Sequence, residues 1–561
     1  MAEGCADSEE VLDPTRGIDK TIENLVLQGK HNELDSYFQN QAFRNASKGV
    51  AWDLVPVVCT HLTKETEIER PDIVSACEVV LRNLAEISNP KELLLVLLEQ
   101  ADSFKDDIKF QVLLQPVQKC LLSLPSKRIH SLAIALETLY AHIKSLPEPE
   151  EKNLEGEEKV LMEHDENYMH LTRSVNLLLD FLQAFVDDLK AVPIMVSKKE
   201  RKEILMFLMK MFDYPMILLD ATIEKENGKA KAKSECRVCA EKSMKMIAIL
   251  QPNFVQLIDE FEDHNEERKQ KLLENKKKPT TSKDTVPDMD YFDDMELEEA
   301  ISTKGMAYFA YLAFGENLEI ENIPQVFTPQ YLLEVCAPYL EEMMTTQKPT
   351  VLLKAVQMLE TRLAAIPNKS LSAELFELNI VANLVDCLIM ILTTCPSKEL
   401  RTLCLKVFPQ VLYKFEPKGR NMFMYYVLKK ARHSGVTGYS IGLLKEEIDA
   451  NLKEGSQNEY FRGHNLEKLL NLVFALPDGV TTDLLEGSER IMSALNLLRY
   501  LILRDHPKAN NTGVWKYMDK IDKDYCETLR TAINISRAHY QLDLKKVKSG
   551  KKYEDDFDMS F

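Results

Sequence analysis

Proline or a small polar cluster interrupts the apolar helical periodicity of this chain again and again. It does so at Ser88-Asn89-Pro90, Leu124-Pro125-Ser126, Leu146-Pro147, Ile366-Pro367-Asn368, Cys395-Pro396-Ser397 and Glu416-Pro417-Lys418. Proline has no backbone N–H and disfavours helical geometry in the residue before it, so each interruption closes one helix before the next begins. Residues 112–146 hold two apolar stretches parted by Pro125-Ser126-Lys127, which predicts an antiparallel helix pair. Pro396–Phe415, a turn at Glu416–Arg420 and Asn421–Lys430 repeat the design. Helix pairs recurring at ~40 residues mark HEAT or armadillo arrays. Strand patterns are nearly absent, and Gly is 18 of 561 residues, well below the usual ~7%. A single core stops growing beyond ~250–300 residues, whereas a stacked array buries each repeat only against its neighbours. The fold predicted is all-α, a HEAT/armadillo-like helical-repeat solenoid.

Two segments break the pattern. Residues 147–167 are acidic and poor in apolar side chains, and residues 262–299 run from a charged stretch through Lys276-Lys277-Lys278-Pro279 into a second acidic run. Neither has enough apolar surface to offset the entropy of ordering. The organisation expected is an N-terminal array over 1–261 with an acidic loop at 147–167, and a flexible charged linker over 262–299. A C-terminal array over 300–544 and a charged tail over 545–561 follow.

A net charge of −19 argues against nucleic acid or an anionic membrane as the main partner. The densest apolar run, Leu93–Leu98, is far short of the ~20 residues that cross a bilayer. The acidic N-terminus lacks the apolar core of a signal peptide. Cysteines such as Cys59, Cys77, Cys120, Cys387 and Cys404 lie in apolar helical stretches, where a thiol packs as a small hydrophobe. No short disulfide framework appears, so a reducing, cytoplasmic setting is expected.

Chemistry is hard to find. Cys236-Arg237-Val238-Cys239 is the one CxxC, but a structural zinc site needs four ligands and no partner pair follows. It reads as two neighbouring thiols on a helix. Gly435-Val436-Thr437-Gly438 lacks the Lys of a phosphate loop and reads as a turn between helices. Met206, Met209, Met211 and Met216, with Phe207 and Phe212, read as helical core. His433 and His539 read as cap or core histidines. No metal, cofactor or catalytic set is expected.

The most informative block is Leu476–Asp505: a Pro-Asp-Gly turn, a short apolar step, a Gly-Ser cap and a long helix. At about 100° per residue, Ile491, Ala494, Leu495, Leu498, Leu501 and Ile502 form an apolar half. Arg490, Ser493, Asn496, Arg499 and Tyr500 lie opposite, with Met492, Leu497 and Leu503 among them. Apolar side chains beside Arg, Asn and Tyr suit a surface that docks another protein.

This block resembles the glomulin family of HEAT-like helical-repeat proteins. The likeness recurs, in order, at Ala51-Trp52-Asp53-Leu54, residues 89–95, Thr328–Leu333, His433-Ser434-Gly435-Val436, Thr512-Gly513-Val514-Trp515 and Ile535–Tyr540, over roughly residues 50 to 542. The resemblance implies binding of the RING-box subunit of cullin–RING (SCF-type) ubiquitin ligases through the C-terminal repeats. There it would mask the docking surface of the ubiquitin-conjugating enzyme. It also implies links to an FK506-binding immunophilin, a receptor tyrosine kinase and vascular development. Transferred to this chain, the contact residues are Arg490, Met492, Ser493, Asn496 and Arg499. Glomulin-like chains usually continue past the Ala538-His539-Tyr540 motif into further helices, where this one ends in a charged tail. A trafficking or assembly scaffold unrelated to ubiquitin is the alternative reading, and it would place partner contacts along an inner concave surface instead.

Overall fold

The computed structural model describes residues 17–102, 107–124, 128–149, 161, 165–221, 225–226, 229–230, 233–277, 300–453 and 458–548. Apart from a two-residue antiparallel pairing of Lys225–Glu226 with Lys229–Ala230 and one isolated bridge, the regular elements described are helices. The all-α helical-repeat architecture is the one predicted.

The sequence punctuation sets the helix starts. Pro71, Pro329, Pro349 and Pro417 open their helices, where the missing N–H has no intrahelical partner to lose. The start at Pro329 and those at Pro90 and Lys398 carry side-chain caps: Thr328 Oγ1 accepts from Tyr331 N at 3.2 Å, Asn89 Oδ1 from Lys91 N at 3.1 Å and Ser397 Oγ from Leu400 N at 3.3 Å. Each satisfies an amide the first turn leaves unpaired. Pro56, Pro116, Pro338 and Pro409 lie inside helices, so proline here does not always end one.

The chain forms two compact units, Met1–Gln325 and Val326–Phe561. In the first, Pro90–Asp102, Asp107–Leu122 and Arg128–Ser145 pack in succession, which includes the pair predicted within 112–146. Glu166–Lys190 lies on Glu235–Leu250, and Ile194–Asp213 on Thr303–Ala310. Arg201 ties this region together. Buried at 5% exposure, its guanidinium donates to Ser197 Oγ, to Leu189 O (2.7 Å) and Val192 O at the end of one helix, and to Ile249 O (2.9 Å) and Leu250 O at the end of another. A cation there meets the unpaired carbonyls and negative dipole ends of two helices. Met209, Met211, Met216, Phe207 and Phe212 are buried core, as expected, whereas Met206, expected with them, is only half-buried.

In the second unit Pro329–Met344 packs on Pro349–Ala365, and Pro349–Ala365 on Lys398–Lys414. Lys398–Lys414 and Pro417–Lys430 form the predicted pair, but the second helix opens at Pro417, within the stretch expected to be a turn through Arg420. Ser434–Lys453 lies along Ser488–Arg504. Arg420, buried, joins Glu447 at 2.8 Å and the carbonyls of Tyr413 and Phe415.

Several expected boundaries move. The division falls after Gln325 and not at 262–299, because Thr303–Ala310 belongs to the first core. Gly305 lies so close to Met209 that an added Cβ would sit 2.0 Å from its carbonyl oxygen, and Tyr308 and Phe309 pack edge-on against Phe212 and Phe254. Helix Phe254–Lys277 occupies the start of the expected linker, Asn265 exchanging hydrogen bonds with Ile301; residues 278–299 lie outside the described residues. Most of the acidic loop does too, but Glu166 and Asn167 already belong to a helix capped by Asp165. Likewise Thr528–Lys548 is one helix, so the tail's first four residues are helical, and 549–561 lie outside the described residues.

No helix is long and apolar enough to cross a membrane among the described residues.

Candidate functional site

The Leu476–Asp505 block folds as a turn and a helix held at both ends. Gly479 takes a left-handed φ of 57° in the turn, and Asp483 Oδ1 accepts from Leu485 N (2.8 Å) and Glu486 N. Gly487 is the N-cap of the Ser488–Arg504 helix. At the other end, buried Asp505 accepts from Asn511 N, Thr512 N and Thr512 Oγ1, while Trp515 Nε1 donates to its carbonyl at 2.6 Å. The family-like Thr512–Trp515 motif is thus the clasp of this helix.

Ile491, Ala494, Leu497, Leu498 and Leu501 are the buried residues of the helix. Gly435 and Gly438 lie in the opening turns of the Ser434–Lys453 helix and not in a turn between helices. They allow the two backbones to touch: a Cβ on Gly438 would stand 2.9 Å from Glu489 O and 3.1 Å from Ser493 Oγ. His433 Nδ1 accepts from Gly435 N, in the manner of a cap. His539 is instead exposed and paired with Asp543.

The five expected contact residues separate. Met492 (58% exposed), Asn496 and Arg499 face outward on one strip with Leu503 (75%), and Ile502 (42%) is exposed to one side of it, next to the buried arc. Ser493 is half-buried against Gly438. Arg490 points inward. Its amide donates to Ser434 Oγ at 3.0 Å and its Nη2 to Leu472 O at 2.9 Å. Burial pulls its pKa below the usual arginine value, opposed by the neighbouring Tyr525. Arg490 is a pin between helices and does not share the exposed strip. At about 100° per residue it falls within the arc spanned by Leu497 and Leu501, so residue polarity alone misplaces it. Leu497 and Ile502 exchange places with the expected pattern for the same reason: the packed neighbours decide the buried arc.

Beside the strip runs a groove of about 700 Å³ walled by Pro409, Tyr413, Tyr439, Gly442 and Met492. Pro409 cannot donate to the carbonyl of Leu405, and Tyr439 Oη donates there instead at 3.3 Å. Tyr413 Oη donates to Glu446 at 3.0 Å. Sequence reading missed these walls; the spacing of Gly435, Gly438 and Gly442 along one helix was the available signal. The terminal helix adds exposed Ile535, Tyr540, Leu542 and Leu544.

Nothing in this arrangement aligns a nucleophile with a base. Among the described residues no cluster of His, Cys, Asp and Glu is arranged to hold a metal. Cys236 and Cys239 are buried on the Glu235–Leu250 helix, and burial pushes the Cys239 thiol up to about 12, far from the thiolate that binds zinc. Protein purified without chelator should therefore carry substoichiometric zinc by elemental analysis. One zinc per chain lost on mutating either cysteine would reverse that assignment.

Comparison with known proteins agrees with the geometry. Residues 45–558 match the model of an uncharacterised protein family, YAP/Alf4/glomulin. Human glomulin is 28% identical over 539 residues, covering 95% of this chain and 84% of that protein. Mouse glomulin is 28% identical over 534 residues, covering 93% and 82%. With helical repeats in both units among the described residues and the family match running over residues 45–558, the chain belongs to the YAP/Alf4/glomulin family.

Proposed function

We propose that this protein is a non-enzymatic inhibitor of cullin–RING ubiquitin ligases acting in the cytoplasm. Its second unit binds the RING-box subunit and covers the surface on which the ubiquitin-conjugating enzyme docks. The observation that carries the reading is the outward strip Met492, Asn496, Arg499 and Leu503 on a helix clasped at both ends, in a chain of the glomulin family. Exposed apolar side chains flanked by Arg and Asn have the make-up of an interface centre. Met492 and Leu503 supply apolar contact, Arg499 meets carboxylates or carbonyls, and Asn496 satisfies a backbone group of the partner.

The test is binding to a purified cullin–RING-box complex. Met492→Asp with Leu503→Asp should weaken binding by about a hundredfold, at ~1.4 kcal/mol per decade, with helicity and melting unchanged. Both side chains are more than half exposed, so the fold should lose little. Ubiquitin chain synthesis should fall as the protein is added and recover with excess conjugating enzyme. Wild-type affinity in the double variant removes the site. No binding by wild type removes the reading and favours a scaffold role. Arg490→Ala is unsuitable here, since it would loosen the Gly463–Val473 helix.

A further inference from the structure

Gly442 has no structural reason to be glycine. It lies mid-helix in Ser434–Lys453, outside the left-handed region, and an added Cβ would meet nothing within 4 Å. Glycine at such a position costs roughly 0.5–1 kcal/mol relative to alanine. Gly435 and Gly438, on the same helix, are explained by the close approach of Glu489; Gly442 faces the open groove beside Met492. What a bare Cα permits is the near approach of another chain's backbone. The groove is also one-signed. Glu446 and Glu489 line it, and no Lys, Arg or His does so among the described residues. The nearby Lys445 is turned onto the Tyr500 ring, 5.4 Å from its centroid.

From this we propose that the groove takes an extended basic segment of the partner. That segment's backbone passes over Gly442, a Lys or Arg side chain reaches Glu446 and Glu489, and an adjoining apolar side chain lies on Met492. The proposal rests on the reading above and gives it a second contact, one of charge-assisted hydrogen bonds alongside the exposed strip.

Gly442→Leu fills the groove from a position with free space, so the variant should melt at or above the wild-type temperature. Its affinity for the cullin–RING-box complex should fall by about tenfold or more. Wild-type binding should weaken as salt is raised, and Glu446→Gln with Glu489→Gln should blunt that dependence. Binding by Gly442→Leu within about twofold of wild type overturns the proposal. If Met492→Asp with Leu503→Asp still abolishes binding in that case, the RING-box reading stands and the groove is simply unused. If neither variant matters, or wild type does not bind, both ideas fall. Should Gly442→Leu melt below wild type, Glu446→Lys with Glu489→Lys tests the groove by reversing its charge: a loss of binding upholds the proposal, and unchanged affinity overturns it.

Discussion

Replacing Arg201 by methionine is expected to destabilise the first unit by roughly 3–5 kcal/mol, the range for a buried group whose loss strands several polar atoms. Methionine fills similar volume but leaves the carbonyls of Leu189, Val192, Ile249 and Leu250 facing a dry side chain. Water cannot easily replace a guanidinium at 5% exposure. At about 1.5 °C per kcal/mol for a unit of this size, Met1–Gln325, from an unfolding entropy of ~2.1 cal/mol/K per residue, the calorimetric transition of the first unit should drop by roughly 5–8 °C. The transition of Val326–Phe561 should stay in place, since Arg201 and all five of its partners belong to the other unit. Arg201→Lys should restore only part of the loss, because one ammonium cannot reach two helix ends at once. A drop under about 2 °C for Arg201→Met would show that the five hydrogen bonds contribute little.

Gly305→Ala should be nearly as damaging for the opposite reason, too much matter in place of too little. The new Cβ would stand 2.0 Å from Met209 O and 2.9 Å from Met209 C. Those are backbone atoms of a packed helix and cannot swing aside as a side chain would. Overpacking typically costs 1–3 kcal/mol, occasionally more, and about 3 kcal/mol is expected here. Thr303–Ala310 must shift as a body, disturbing Tyr308 on Phe212, Phe309 on Phe254 and the Tyr311–Glu316–Arg237 chain of hydrogen bonds. Urea unfolding should show a lower midpoint with little change in slope. An unchanged midpoint would mean that the two helices separate without cost.

The helix pairs were legible because their starts depend on local chemistry. Thr328-Pro329 and Ser397 cap a helix whatever surrounds them. The division of the chain was less legible, since charge density near residue 262 marks a polar stretch and says nothing about where Thr303–Ala310 packs. At the candidate site, Met492, Asn496 and Arg499 could be placed outward from spacing alone. Arg490 could not. Its role depends on Leu472 O and Tyr525, which come from other helices. The groove left only the spacing of Gly435, Gly438 and Gly442 as a trace in the sequence, because its walls Pro409, Tyr439 and Met492 meet only after three helices have packed.

Pro409 has one more consequence. By leaving the Leu405 carbonyl for Tyr439 it orients one aromatic side chain, and Glu446 independently orients Tyr413, before any visitor arrives. Immobilising such side chains at an interface ordinarily costs about 0.5–1.5 kcal/mol each, and here part of that ordering already belongs to the folded chain. Association at this face should accordingly proceed in a single kinetic phase, with no slow rearrangement afterwards, and its entropy loss should reside mainly in the visitor.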